Sequence, residues 1–185
     1  MQDFQDHFLI AMPALDDPMF KRSVTYICEH SAEGAMGIVI NHPLNVTVAD
    51  LLQQLQIEFD SKSPVARSAV CAGGPVQSDR GFVLHSPKGG YSSTLALNNG
   101  LMVTTSKDIL IDLTTPAAPE KFLLALGYAG WTAGQLEQEI ADNSWLVIPA
   151  DNNIIFDLGH AEKWQSATAK MGIKPWQLTA EAGHA

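Results

Sequence analysis

Basic residues are scarce in this chain. Lysine and arginine total 11 of 185 residues against 20 aspartates and glutamates, which leaves a formal net charge of −9. Nucleic-acid affinity comes largely from Lys and Arg neutralising phosphates. The charge balance therefore counts against direct DNA or RNA binding, and Lys21-Arg22 is the only adjacent basic pair. The same charge opposes docking on an anionic membrane. No apolar run approaches the ~20 residues needed to span a bilayer. Cysteine is scarce too: Cys28 and Cys71 allow one bridge at most. None is required, because a domain of this size buries on the order of 70% of the surface of its unfolded chain. The first residues, Met1 to His7, are acidic where a secretory signal would be basic, and Phe8 to Met12 is too short for its apolar core. The expected location is the cytoplasm, where both thiols stay reduced.

Motifs of catalysis are missing as well. There is no G-x-S-x-G elbow. There is no G-x-G-x-x-G or G-x-x-x-x-G-K-[ST] phosphate loop. Neither H-E-x-x-H nor C-x-x-C occurs, and His7, His30, His42, His85, His160 and His184 are scattered. Asp16-Asp17 has no calcium-loop spacing around it. No metal and no cofactor is expected, and the balance leans away from an enzyme.

What is present is a run of short β-rich segments followed by segments mixed with helices. Phe8–Met12 reads as a buried strand stopped by Pro13. Ser23–Glu29 and Ala35–Ile40 flank a turn at Ser31–Gly34 and read as a hairpin, with Val24, Tyr26 and Cys28 on one face. Thr47 can cap a helix to Leu55. Glu58 to Arg67 reads as a surface loop, and Ser68–Ala72 leads into a turn at Gly73-Gly74-Pro75. Gly81–His85 follows as a strand. Ser93–Leu97 and Leu101–Thr105 flank Asn98-Asn99-Gly100, a second hairpin signal. Ser106 can cap a helix to Leu113. Phe122–Tyr128 reads as a strand, and Thr132 with Gln135 matches a capping box opening a helix to about Asp142. Trp145–Ile148 is a strand broken by Pro149, and a last helix from His160 to Met171 stops at Gly172. Strict βαβ alternation is absent, so the fold class is α+β in a single domain over residues 1–185, with 178–185 a flexible tail.

Several blocks stand out in order: FLIAMPALDDPMFKRSVTYICEH at 8–30, GAMGIVIN at 34–41, GGPV at 73–76 with DRGFVLH at 79–85, ALGYAGWTAGQLEQEI at 125–140, and NSWLVIPAD at 143–151. Together they closely resemble the YqgE/AlgH family of bacterial proteins, over nearly the whole chain to its Gly183-His184-Ala185 ending. The resemblance implies a bifurcated, partly barrel-like mixed β-sheet surrounded by helices. It implies no settled biochemistry. One branch is linked by name to alginate regulation, and members are often labelled transcriptional regulators; with this acidic charge, such a role would be indirect.

Two functional readings follow. The first is a non-catalytic binding or regulatory domain that contacts a protein or small-molecule partner. Its candidate binding residues are Asn41, Gly73, Gly74, Arg80, Tyr128 and Trp131. Gly73-Gly74 could nest an anion with Arg80 adding charge, against a plain turn. Gly127–Trp131 could wall a pocket with Tyr128 and Trp131, against a tight strand-to-helix turn. A solvent-facing patch around Trp131 or Trp176 would support this reading. The second is a redox-responsive protein or enzyme using Cys28, beside Glu29 and His30. In a regular strand, residues two apart stand ~6.5–7 Å from each other, too far for Cys28 and His30 to pair. Against it, Cys28 is read as a small buried hydrophobe.

Overall fold

The computed structural model describes residues 2–174. The expected tail at 178–185, Trp176 and His184 lie outside them. Along the chain, β1 (His7–Ala11) precedes the expected hairpin of β2 (Val24–Ser31) and β3 (Gly34–Val39). β4 (Pro43–Thr47) leads into α1 (Val48–Gln54). There the Thr47 hydroxyl accepts the Asp50 N–H at 3.1 Å, and the Asp50 carboxylate accepts the Thr47 N–H at 2.9 Å. This reciprocal cap satisfies two otherwise orphaned donors. A 3-10 turn at Pro64–Arg67 precedes β5 (Ala69–Ala72) and β6 (Val76–His85). β7 (Thr94–Ala96) and β8 (Met102–Thr104) make the second expected hairpin. Then follow α2 (Asp108–Asp112), β9 (Phe122–Thr132), α3 (Gln135–Ala141), β10 (Trp145–Pro149), α4 (Asn152–Phe156) and α5 (His160–Ala169).

The strands form one curled, half-barrel sheet in the order β10-β1-β2-β3-β9-β6-β8-β7, with β4 and β5 off this path. Period-two alternation decides which residues face which layer. Phe8, Ile10, Val24, Tyr26 and Ile38 point to one apolar cluster, closed by Ile154 and Ile155 of α4 and Trp164 and Ala167 of α5. Leu9, Ala11 and Ile27 point the other way, against Phe4, Trp131, Trp145 and Leu136 of α3. A third cluster packs Val48, Leu51 and Leu52 of α1 and Ile109 and Leu110 of α2 on Val70, Val83 and Leu124. Full burial of such a side chain contributes about 1.5–3 kcal/mol.

The sheet divides at β9. From Phe122 to Tyr128 this strand pairs with β6, and at Ala125–Leu126 it also runs parallel to β5. From Ala129 to Thr132 it pairs with β3. Gly73 and Gly74 continue β5 alongside Gly127 and Tyr128, and the chain then crosses β9 to pair Val76 with Tyr128. The crossing brings main chain onto main chain. A Cβ on Gly73 would stand 2.3 Å from the Gly127 carbonyl, one on Gly74 2.1 Å from the Tyr128 carbonyl carbon, and one on Gly127 2.4 Å from the Gly74 carbonyl. Gly127 also has φ +77, a region that side chains disfavour.

Four local expectations change. β9 does not end at Tyr128 but continues to Thr132, so Gly127–Trp131 is strand rather than a strand-to-helix turn. The predicted capping box at Thr132 is half formed: Gln135 Oε1 accepts the Thr132 N–H at 3.0 Å, but the Thr132 hydroxyl also turns to Gln135, and the helix begins at Gln135 after Gly134. Ser106 donates its hydroxyl to Asp108 and caps no helix N–H. β4 and α4 were not foreseen. Both are short, and α4 is announced only by Asp151, which accepts the Asn153 N–H at 2.9 Å. No helix among the described residues is long and apolar enough to cross a membrane.

Candidate functional site

A hollow of about 740 Å³ lies where β2, β3 and the second half of β9 meet. Glu29, Glu33 and Leu95 border it, and Met36, Tyr128 and Gly130 are in its lining. Its floor follows from the division of the sheet. The Trp131 carbonyl points at Gly34 of β3, and the Thr132 N–H points away to the Gln135 side chain. Main-chain groups alternate along a strand, so those of Gly130 also face away from β3. On that side β6 reaches only to Val76, opposite Tyr128. Among the described residues no strand pairs with that side of β9 beyond Tyr128. Leu95, on the edge strand β7, is one of two large apolar side chains that stand exposed among the described residues.

His30 closes one end. Its imidazole is held between the Phe4 N–H, which donates to Nδ1 at 3.1 Å, and Glu137, whose Oε1 lies 2.8 Å from Nε2. A donor at Nδ1 assigns the neutral ring's proton to Nε2, which then donates to Glu137. Glu137 is held below the usual carboxylate range by a backbone N–H and then by His30. Trp131 is packed rather than presented. It is 7% exposed, and its indole N–H and that of Trp145 both donate to Glu139 Oε2, at 2.9 and 2.8 Å. The expected solvent-facing patch does not form at Trp131.

The candidate residues converge only in part: Tyr128 and Trp131 line the groove together, and Tyr128 also borders a neighbouring depression with Arg80. Tyr128 lines the groove, stacked edge-on against Phe82 at 5.4 Å. Arg80 belongs to a neighbouring depression, donates to Gln77 and Thr105, and forms no ion pair with Asp79. Gly73 spends its N–H on the Leu126 carbonyl at the strand crossing, and Gly74 lies against Tyr128. Asn41 is a buried brace: its Oδ1 accepts the Val24 N–H at 2.8 Å and its Nδ2 donates to the Arg22 carbonyl at 2.9 Å.

The cysteines occupy different settings. Cys28 is fully buried at a β-bulge, where β2 advances from Ile27 to Glu29 while β3 advances only from Gly37 to Met36. Burial, then Glu29 and Asp6, push its thiol far up, away from nucleophilic thiolate. The bulge also breaks the regular spacing on which the Cys28–His30 separation was reckoned. Cys71 sits in a cluster that sequence reasoning missed. Its sulfur lies 3.6 Å from His160 Nδ1 and 3.9 Å from Nε2. Lys163, 2% exposed, donates to the carbonyls of Ile40 and Ile155 at 2.8 and 2.9 Å. The Ile40 carbonyl also lies 3.4 Å from His160 Nδ1 and 3.9 Å from the Cys71 sulfur. Burial lowers Lys163 to about 8, with the Cys71 charge opposing. Burial raises Cys71 to about 11, with Lys163 pulling it back. Burial also lowers His160, helped by Lys163. One signal could have exposed the cluster: His160, Lys163, Trp164 and Ala167 share one helical stripe, so Lys163 had to enter the core. Among the described residues no group of three or more His, Cys, Asp or Glu side chains could hold a metal ion.

Compared with known proteins, the chain matches the family model described as AlgH-like over residues 8–176. It is 57% identical over 185 residues to a UPF0301 protein of Pseudoalteromonas translucida and 51% identical over 187 residues to one of Shewanella oneidensis, in each case across 100% of both chains. Its structure is similar to the solution structure of the AlgH protein from Pseudomonas aeruginosa, with a TM-score of 0.81 at 47% identity, covering 100% of this chain and 97% of that one. A crystal structure of a Corynebacterium diphtheriae protein shares the fold at TM-score 0.70 and 22% identity, covering 100% and 94%.

Proposed function

The chain belongs to the AlgH-like family, and on that premise, which leaves its chemistry open, we propose that it is a non-catalytic binding domain whose groove beside β9 takes an extended, basic segment of a protein partner. The observation that carries this reading is the half-paired β9, open at Gly130 inside a groove bordered by Glu29 and Glu33. An extended segment can meet an open strand side with main-chain hydrogen bonds, while alternate side chains reach the walls. The acidic border favours lysine or arginine on the incoming segment and disfavours acids. Any part in regulating transcription is then indirect, exerted through the protein that is bound.

The test is a titration of the 15N-labelled protein with an alternating Lys-Val peptide and its Glu-Val counterpart. The Lys-Val peptide should move the amide signals of Gly130 and Thr132, and the response should weaken at high salt as exposed charges are screened. Gly130→Val should abolish it. A Cβ there meets only ordinary contacts, with Tyr128 at 3.5 Å and Val76 at 3.9 Å, so the fold should survive. Equal responses to both peptides, or none to either, would sink the reading.

A further inference from the structure

A second hollow of about 310 Å³ lies between the 3-10 turn, the start of β9 and helices α4 and α5. Val65, Leu124 and Phe156 contribute apolar wall, and Ser68, Glu120, Lys121, His160 and Lys163 contribute the polar part. The charged side chains lining it are Glu120, Lys121 and Lys163. Lys121 is tied to Asp157, and Glu162 turns its carboxylate to the Gly159 N–H. Lys163 has two carbonyl acceptors and, among the described residues, no carboxylate in ion-pair range. An ammonium carries three donors, so one is left over. Cys71 supplies no negative charge at neutral pH, because burial keeps its thiol protonated. A buried cation without a counter-charge is costly, and an anion entering the cavity would relieve that cost.

We propose that this cavity binds a small organic carboxylate with an apolar tail, the carboxylate against Lys163 and His160 and the tail against Val65, Leu124 and Phe156. At ~30 Å³ per water-sized group the cavity has room for roughly ten non-hydrogen atoms. Octanoate is of that size and serves as the probe. The site is separate from the groove, so failure of either leaves the other standing.

The experiment follows the Lys163 side-chain signal of the whole protein, 13C-labelled at lysine Cε, during titration with octanoate, acetate and inorganic phosphate. Octanoate should give a saturable shift and keep Lys163 protonated to higher pH. It should bind at least tenfold more tightly than acetate or phosphate. Lys163→Met should weaken octanoate binding at least tenfold. That variant strips two carbonyls of their donor; should it not fold, Val65→Phe, which narrows the cavity without touching the ammonium, carries the same expectation. A Lys163 signal unmoved by octanoate overturns the proposal. So does an equal response to phosphate or acetate, or undiminished binding by a folded variant.

Discussion

The groove beside β9 is bordered by exposed carboxylates and floored by main chain, whereas the cavity under α5 sets apolar wall and a few polar side chains around the buried Lys163. Water solvates Glu29 and Glu33, so leaving them unpaired costs little, and their attraction for a partner is long-ranged and salt-sensitive. Lys163 has lost most of that solvation, and its attraction for an anion is short-ranged and strong. The first setting suits association with a large, variable partner. The second suits a small molecule of defined shape. The difference comes from burial, not from charge.

The two regions share one structural premise, the strand crossing at Gly73, Gly74 and Gly127. Breaking it has the largest expected effect. Gly127→Ala places a Cβ 2.4 Å from the Gly74 carbonyl at a positive φ, and should destabilise the fold by about 4 kcal/mol or more. Chemical denaturation, with both titrations repeated, would show groove and cavity lost together. Survival of either site in the unfolded variant would mean that they do not depend on the crossing.

A middle-sized effect separates the regions. Lys163 is depressed to about 8 in the fold, while its unfolded value is near 10.4. Between those values the unfolded chain holds more of this proton than the folded one, so stability rises with pH across the window. The full span is worth roughly 3 kcal/mol at about 1.36 kcal/mol per unit. Urea midpoints of wild type and Lys163→Met, compared from neutral pH to about pH 10, should differ by that changing amount. A constant difference would show that the ammonium is not buried as described.

The smallest effect lies at the groove. Glu137→Gln keeps an oxygen to accept the His30 Nε2–H but removes the charge. Glu137 is one-third exposed, so the change in stability should stay below about 1 kcal/mol. A larger loss by urea denaturation would place the His30–Glu137 pair among the structural supports of the fold rather than at a solvated end of the groove.

Much of the fold was legible because its signals are local. The Ser31–Gly34 and Asn98-Asn99-Gly100 turns specify hairpins between strands adjacent in sequence, and Thr47 specifies the start of α1. The strand crossing was not legible. Gly73-Gly74-Pro75 reads as a turn from either neighbour, and only β9, some fifty residues on, explains why three glycines are needed. Trp131 drew attention as an aromatic beside glycines, but its partner Glu139 lies on the following helix, which begins later than the capping pattern suggests. Cys71 and His160 are 89 residues apart, and no spacing rule links them. Cys28, two residues before His30 in sequence, looked the more reactive thiol. A bulge and full burial make it the more inert.

By itself the sequence determined the family, the α+β class, both hairpins and the net negative charge. Each of these rests on composition, ordered blocks of residues or contacts within a few positions along the chain. Only the tertiary structure decided where β9 is left half paired and which lysine loses its water. Both depend on how distant segments exclude one another and the solvent, a consequence of packing that no local pattern of residues encodes.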